Sequence, residues 1–300
     1  MTERRAVCLI ANPAAGRGRG ARVLPAIQNA LAAAGVTDVR LTTAAGDERR
    51  LARDAAAGGV ETIIALGGDG TWGNAARGIL ESGRDARLAL LAAGTGNDFG
   101  HALGLPVSDL RAMAHIAVGS REMRVDVGCA DGASFVNVAG FGVETIVIEA
   151  SRHVPLLRGH LLYLATAVPQ LFTYRALTAR IHRDGEDEPI AAPYLALIAA
   201  NGPRFGGGFH VAPRASLTDG LLDLVSIRDA SVVRRAALLA RVRMGRHLER
   251  PEVELHQVRC AELHFDAPPL MDLDGELVRA QSENVEIRCV SRALRVAVGT

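Results

Sequence analysis

The sequence predicts an α/β protein in two parts, an N-terminal Rossmann-like parallel-sheet domain and a C-terminal antiparallel β-sandwich domain. Three observations predict it. Up to about Val125, short apolar runs alternate with helix-like stretches, the spacing of a mostly parallel sheet. Three of those apolar runs lead into glycine-rich loops, at residues 12–20, 67–70 and 94–96. Beyond Val125 the runs are short, and several alternate with period two, as in Leu222-Asp223-Leu224-Val225-Ser226-Ile227 and Val253-Glu254-Leu255-His256-Gln257-Val258. The expected domains are therefore 1–125 and 126–300, with the last strand free to return to the first. Two ordinary cores suit 300 residues that are 49% hydrophobic.

The elements follow in order. Val7-Cys8-Leu9-Ile10 reads as a buried strand, followed by the loop Asn12-Pro13-Ala14-Ala15-Gly16-Arg17-Gly18-Arg19-Gly20 and a helix over 23–34 that Gly35 stops. Val39-Arg40-Leu41-Thr42 gives a second strand, and residues 47–57 a second helix ended by Gly58-Gly59. Thr62-Ile63-Ile64-Ala65 is the third strand, with a helix expected over 72–80. Residues 87–91 form the fourth, ahead of Ala93-Gly94-Thr95-Gly96-Asn97-Asp98-Phe99. In such sheets ligands sit beyond the carboxyl ends of the strands, where all three loops fall. In the second half two helical stretches interrupt the strands. Residues 154–174 are apolar but broken by Arg158, His160 and Pro169, too interrupted to span a bilayer. Residues 231–248 set Val232, Val233, Ala236, Leu239 and Val242 against Arg234, Arg235, Arg241 and Arg243.

The loop Gly67-Gly68-Asp69-Gly70-Thr71 carries the functional argument. Its glycines let a ligand approach the main chain, Thr71 is placed to cap the next helix, and main-chain N–H groups at a helix start attract anions. Asp69 repels phosphate unless a divalent cation or strong donor stands between them, which points to a metal nucleotide. The charge balance is +1, so nothing global argues for nucleic acid. The chain has no lysine, so any phosphate contact uses arginine or main-chain N–H. Cys8, Cys129, Cys260 and Cys289 form no CxxC pair, as expected of a reduced, cytoplasmic protein. The histidines, His101, His153 and His160 among them, make no constellation.

In order and spacing, Asn12-Pro13-Ala14-Ala15-Gly16, Gly67-Gly68-Asp69-Gly70-Thr71-Trp72-Gly73-Asn74 and Gly94-Thr95-Gly96-Asn97-Asp98-Phe99 resemble the three signatures of the diacylglycerol kinase catalytic domain, especially of bacterial soluble lipid kinases. Gly206-Gly207-Gly208, Asp219-Gly220-Leu221-Leu222-Asp223 and Asp274-Gly275-Glu276 resemble the family's later signatures, so the likeness spans nearly the whole chain. It implies an ATP-dependent kinase of a lipid hydroxyl, with Mg2+, and an active site in the cleft between the two domains. It also implies phospholipid metabolism, peripheral contact with the inner face of the membrane, and leaves a homodimer open. The nucleotide site it implies is Asn12, Pro13, Ala14, Ala15, Gly16, Arg17, Thr42, Gly68, Asp69, Gly70, Thr71, Trp72, Gly73, Asn74 and Thr95. It puts Asp69, Asp98 and Asp126 around the catalytic magnesium, and a structural divalent ion on the Asp219 carboxylate with main-chain oxygens of Ser216 and Leu221. It favours Glu276 as proton acceptor, with Asp274 its partner or competitor. Arg17 stands where relatives often carry lysine.

Other readings stay beside this one. On spacing alone Asp274-Gly275 is a hairpin turn, Asp219 a turn aspartate, and Asp69 alone could be a helix cap. Gly16-Arg17-Gly18-Arg19-Gly20-Ala21 satisfies a dinucleotide fingerprint, but its glycines begin well past the strand. A NAD kinase-like phosphotransferase shares the Gly67-Gly68-Asp69-Gly70 loop and differs at residues 94–99. A nucleotide-binding regulator would gain little from so many carboxylates, and a Walker loop is absent.

Overall fold

The computed structural model describes residues 6–151, 159–183 and 190–299. The chain divides into two units: one runs through Val125 and takes back the segment from Arg292, and the other is Asp126–Ser291.

The first unit alternates strands and helices: β1 (Val7–Ala11), α1 (Ala15–Ala33), β2 (Asp38–Leu41), α2 (Asp47–Ala57), β3 (Thr62–Gly67), α3 (Asp69–Glu81), β4 (Arg87–Ala92), α4 (Asp98–Ala102) and α5 (Leu110–Val118). The strands are parallel in the order β4-β3-β1-β2, and near the chain's end Arg295 and Val296 pair parallel with Arg87 and Leu88. Every residue of β3 and β4 is buried, as expected of parallel strands covered on both faces. The ends of α5 show how polar groups are satisfied here. Asp109 accepts the main-chain N–H of Arg111 and Ala112, each at 3.0 Å. At the other end the buried Arg87 guanidinium donates to the carbonyls of Ala117 (3.0 Å) and Gly119 (2.6 Å), a cation at the helix's negative end.

Two helices start earlier than the sequence pattern suggests. α1 begins at Ala15, and Gly16, Arg17 and Gly18 interrupt it in the left-handed region (φ 56°, 56° and 84°). α3 begins at Asp69, with Gly68 as its extended N-cap, so Thr71 lies inside the helix and does not cap it.

In the second unit β5 (Glu122–Ala130) pairs with β6 (Ala133–Phe135). There follow β7 (Val138–Gly142), α6 (Val143–Ser151), α7 (Gly159–Thr173), β8 (Leu177–Arg183), β9 (Ile190–Ala200), β10 (Leu222–Arg228), α8 (Val232–Val242), β11 (Val253–Val258), β12 (Cys260–Phe265), β13 (Leu270–Leu273), β14 (Glu276–Arg279) and β15 (Asn284–Ala297). Pairing among β7 to β15 is antiparallel, as the period-two runs indicate, and β9 is its hub, with β7 and β8 on one edge and β10 on the other. Alternate residues of β9 enter different cores, because successive side chains of a strand point to opposite faces. Leu197 and Ala199 join Phe135, Phe141 and Leu263, while Ile198 and Ala200 join Phe209 and Leu238. Phe141 and Phe265 stack at 5.4 Å between ring centroids.

Of the apolar stretch 154–174, residues 154–158, with Arg158, lie outside the described residues, as does His153 before it, and the remainder is in α7 apart from its last residue, Tyr174, with Pro169 inside the helix. Among the described residues no helix is long and apolar enough to cross a membrane. α8 corrects its expected faces. Val233 is 80% exposed, whereas Arg235 is buried, donating to Asp229 (2.6 Å) and to the Tyr174 carbonyl (3.0 Å). The charge is tolerated inside because those partners satisfy it.

Candidate active site

The three glycine-rich loops meet at the carboxyl ends of β1, β3 and β4, and they meet through main chain. The N–H groups of Ala93 (2.6 Å) and Gly94 (3.0 Å) donate to the Gly67 carbonyl, and Asn12 N–H donates to Leu66 (3.0 Å). A Cβ on Gly16 would run into the Ala93 carbonyl oxygen, and one on Gly68 would lie 2.9 Å from the Gly94 Cα. Glycine is required at these contacts because any side chain would separate the loops.

Side chains then lock the cluster. Asn12 Oδ1 accepts from Ala14 N–H (2.9 Å) and Ala15 N–H (3.1 Å), and its Nδ2 donates to Glu48 (2.8 Å) and to the Thr71 hydroxyl (3.2 Å). Thr71 in turn donates to the same Glu48 oxygen at 3.2 Å. Sequence reasoning missed Glu48; it reads as an ordinary first-turn helix residue, and only its burial marks it. Asp69 Oδ1 accepts Phe99 N–H at 3.1 Å, tying the second loop to the start of α4 and setting Asp69 beside Asp98. This bond gives one Asp69 oxygen a main-chain donor, a structural role that stands beside the expected metal ligation.

The expected nucleotide residues therefore separate into two groups. Asn12, Pro13, Ala14, Ala15, Gly16, Arg17, Thr42, Gly68, Asp69, Gly70 and Thr95 are half-buried or exposed. Trp72, Gly73, Asn74 and Thr71 are buried behind them. The Trp72 side chain is placed in the core and not on the accessible loop surface: it is 0% exposed and its Nε1–H donates to the Ala65 carbonyl (3.2 Å). Asn74 Oδ1 accepts from Arg77 at 3.4 Å. Beside Thr42, Asp47 accepts the N–H and hydroxyl of Thr43, the N–H of Ala44 and a guanidinium N–H of Arg50, and these donors hold its carboxyl below the usual range, the Thr43 main chain first.

In the second unit Asp126 lies against the turn expected to bind a structural ion. Its N–H donates to the Leu217 carbonyl (2.7 Å) and its Oδ2 accepts Gly220 N–H (2.6 Å), while Asp219 Oδ1 accepts Leu221 N–H at 3.0 Å. One or two carboxylates with the main-chain oxygens of Ser216 and Leu221 make a set of hard oxygen donors, the chemistry that suits Mg2+ or Ca2+. Among the described residues no three His, Cys, Asp or Glu side chains gather as a metal cluster. Asp69 and Asp98 are brought together in the first unit, and Asp126 belongs to the second.

Asp274-Gly275 is the tight turn between β13 and β14, both residues at positive φ (53° and 91°). The Asp274 carboxylate accepts three main-chain N–H groups, from Val136 (2.8 Å), Asn137 (2.8 Å) and Val138 (3.0 Å). Three of the carboxylate's roughly four acceptor positions are thus taken, which counts against Asp274 as a competing proton acceptor and makes it the anchor of the hairpin. Glu276, half-buried at the start of β14, keeps the candidacy. Asn201, fully buried, donates to the carbonyls of Asp126 (2.9 Å) and Val136 (2.8 Å) and so joins Asp126 to this anchor. Neither Asn201 nor Asn137 carried a sequence signal beyond a polar residue ending an apolar run.

The second unit also holds an apolar cavity between α6, α7, α8 and the sheet, lined by Val143, Leu195, Ile198, Phe209, Leu238 and Val242, with an empty volume of about 730 Å³ counting space open to solvent. Glu144 lines it at 4% exposure, and neither carboxyl oxygen has a hydrogen-bond partner among the described residues. Burial raises its pKa well above 4.5; its own N–H opposes this weakly, and the nearby Asp272 carboxylate adds to it. The first turn of α6 favours an anion by about 0.3–1 kcal/mol, small against the several kcal/mol that burying an unpaired carboxylate costs. Glu144 is therefore the neutral acid.

Comparison with known proteins fixes the family. Residues 6–130 match the diacylglycerol kinase catalytic domain, and residues 137–298 match the YegS C-terminal NAD kinase beta sandwich-like domain. The chain belongs to the diacylglycerol kinase catalytic-domain family. It is 33% identical over 274 residues to the Xanthomonas oryzae protein named "Probable lipid kinase YegS-like", covering 86% of this chain and 85% of that one. It is 29% identical over 297 residues to a Mycobacterium tuberculosis protein named "Diacylglycerol kinase" (97% and 94% covered), and 27% over 271 residues to one of that name in Bacillus subtilis (89% and 88%). Its fold matches a crystal structure of a diacylglycerol kinase from Bacillus anthracis with a TM-score of 0.74, at 20% identity, over 100% of this chain and 98% of that one. As a member of the diacylglycerol kinase family the chain is a lipid kinase, and the α/β unit and the antiparallel β unit correspond to the family's two domains.

Proposed function

We propose that this enzyme transfers the terminal phosphate of ATP to the hydroxyl of a glycerolipid or related membrane lipid. The observation that carries the reading is the main-chain meeting of three glycine loops at one sheet edge, where close approach of the backbones leaves N–H groups, the Asp69 carboxylate and the exposed Arg17 side chain beside one another. Triphosphate would be held by N–H groups among residues 16–17, 68–70 and 95–96, with Arg17 as the guanidinium within the first loop. Asp69 and Asp98 would hold Mg2+, which when bound supplies compensation for charge on the phosphate oxygens. The acceptor oxygen forms its bond to the terminal phosphorus as the bond to the departing ADP oxygen breaks, and its proton passes to Glu276.

Asp274, by pinning residues 136–138, holds the Glu276 hairpin, and Asn201 ties that anchor to Asp126. The acceptor side is apolar where a lipid needs it to be. Exposed Phe172 (68%) on α7 and Val233 on α8, two helices packed together, with Met244 and Arg243 beyond, support docking at a membrane surface. Arg234 and Arg241 pair with Glu252 and Glu249, and Arg235 is buried, so apolar contact outweighs charge in this docking. Flotation with anionic vesicles is expected to retain the protein at low salt and to lose only part of it at high salt; complete release by salt, or no binding at all, contradicts it.

The function is tested by incubating the protein with terminally labelled ATP, Mg2+, NAD and a total lipid extract. Label is expected in a lipid-soluble phosphomonoester. Label appearing in a phosphorylated dinucleotide would favour the NAD kinase-like reading instead.

A further inference from the structure

We propose that Glu144 acts as a hydrogen-bond donor to an oxygen on the chain of the bound lipid, so that this enzyme selects a hydroxylated long-chain lipid over a plain hydrocarbon one. The proposal rests on the lipid-kinase reading for the identity of the ligand, and on the cavity for everything else.

The cavity walls are aliphatic and aromatic, the lining of an acyl-chain site. A wall meant only for hydrocarbon has no use for a carboxyl group, yet the fold makes room for one. Glu144 packs over Gly140 of β7, where a Cβ would stand 2.9 Å from its Oε1. Arg235 also lines the cavity but is spent on Asp229, Ala230 and Tyr174, so it does not pair with Glu144. The second polar group is His247, 0% exposed. Its Nε2 lies 2.9 Å from the Val211 carbonyl, which can only accept, so Nε2 carries the proton and Nδ1 is left as an acceptor. Nδ1 has no partner among the described residues, and burial lowers the ring's pKa, which keeps the imidazole neutral.

The cavity thus offers one donor, the Glu144 carboxylic acid, and one acceptor, His247 Nδ1, in an otherwise dry wall. A hydroxyl can accept from Glu144 or donate to His247 Nδ1; a carbonyl can satisfy Glu144 alone, and a methylene neither. An unfilled buried donor counts against the plain chain, which is how polar pockets reject analogues that lack the polar group.

The experiment is competition against a fluorescent fatty acid on the full chain, with stearic acid and a panel of stearic acids hydroxylated at successive positions. In the wild type, one position is expected to outcompete stearic acid about tenfold, the ratio given by one net hydrogen bond of about 1.4 kcal/mol. Glu144→Gln, which keeps a neutral donor, retains the preference; Glu144→Leu loses it and binds stearic acid at least as well. No preference anywhere in the wild-type panel, or a preference that survives Glu144→Leu, overturns the proposal. Loss in Glu144→Gln as well as in Glu144→Leu overturns the neutral-donor assignment. Should Glu144→Leu fail to fold, the wild-type panel and Glu144→Gln decide. Binding needs no phosphoryl transfer, so a hydroxyl preference without lipid phosphorylation sinks only the kinase reading, and phosphorylation without the preference sinks only this inference.

Discussion

The two units solve the same problem, holding polar groups at a reactive edge, by opposite means. In the first, the loops touch because side chains are missing: Gly16 lies on Ala93 and Gly68 on Gly94, and main-chain N–H groups are left for a ligand. In the second, side chains do the holding: Asp274 takes three N–H groups, Asn201 bridges two carbonyls, and Asp126 takes Gly220. A site made of main chain tolerates loss of a side chain and not the gain of one. A site made of side chains behaves in the reverse way.

The largest expected effect tests the second half of that contrast. Asp274→Ala strands three main-chain N–H donors that the wild type buries, at a cost of about 3–5 kcal/mol, the range for breaking a buried charged network. Thermal melting is expected to drop steeply and activity to go with it, while Asp274→Asn, which keeps an acceptor oxygen, loses less. A melting temperature within error of wild type for Asp274→Ala would show the anchor to be idle.

Asp69→Asn sharpens the first half. The amide oxygen still accepts Phe99 N–H, so the fold and its circular dichroism are expected to persist while turnover falls by about 10³-fold, the upper range for removing one preorganised electrostatic partner. Near-normal turnover would leave Asp69 as a cap for α4 and nothing more.

A smaller effect separates buried chemistry from anchoring. Glu144 is protonated in the folded chain and ionises above 4.5 when unfolded, so the stability it lends is full below that value and lost as pH rises toward its folded pKa. As pH rises above about 4.5 the wild-type melting temperature is expected to fall relative to that of Glu144→Gln, which has no such proton to lose. His247, shifted downward, acts in the opposite sense in both proteins and cancels in the difference. Parallel curves for the two proteins would mean that Glu144 is ionised when folded.

The contrast also explains what the sequence made legible. Glycine-rich turns after apolar runs are local, so the loops at 12–20, 67–70 and 94–96, their strands and the change of texture near Val125 could be read directly. Helix starts could not, because the left-handed residues 16–18 are absorbed into α1 and Asp69 opens α3 rather than preceding it. Trp72 looked like part of the nucleotide signature because motif membership does not say which way a helix face points. The second unit hid its logic in distance: Asp274 holds Val136 from 138 residues away, and Asn201 holds Asp126 from 75. The burial of Arg235, against the expected face of α8, depends on Asp229 and Tyr174, which no periodicity reveals.

In the proposed reaction the first unit grips the nucleotide through its main chain while the second takes the acceptor's proton through Glu276. Glu276→Gln, assayed for turnover on the labelled lipid and for ATP binding by titration calorimetry, tests both at once. Turnover is expected to fall by about 10² to 10⁴, the worth of a positioned base, with ATP affinity and melting temperature unchanged. Turnover within a few-fold of wild type, or a loss explained by weakened ATP binding, would contradict it.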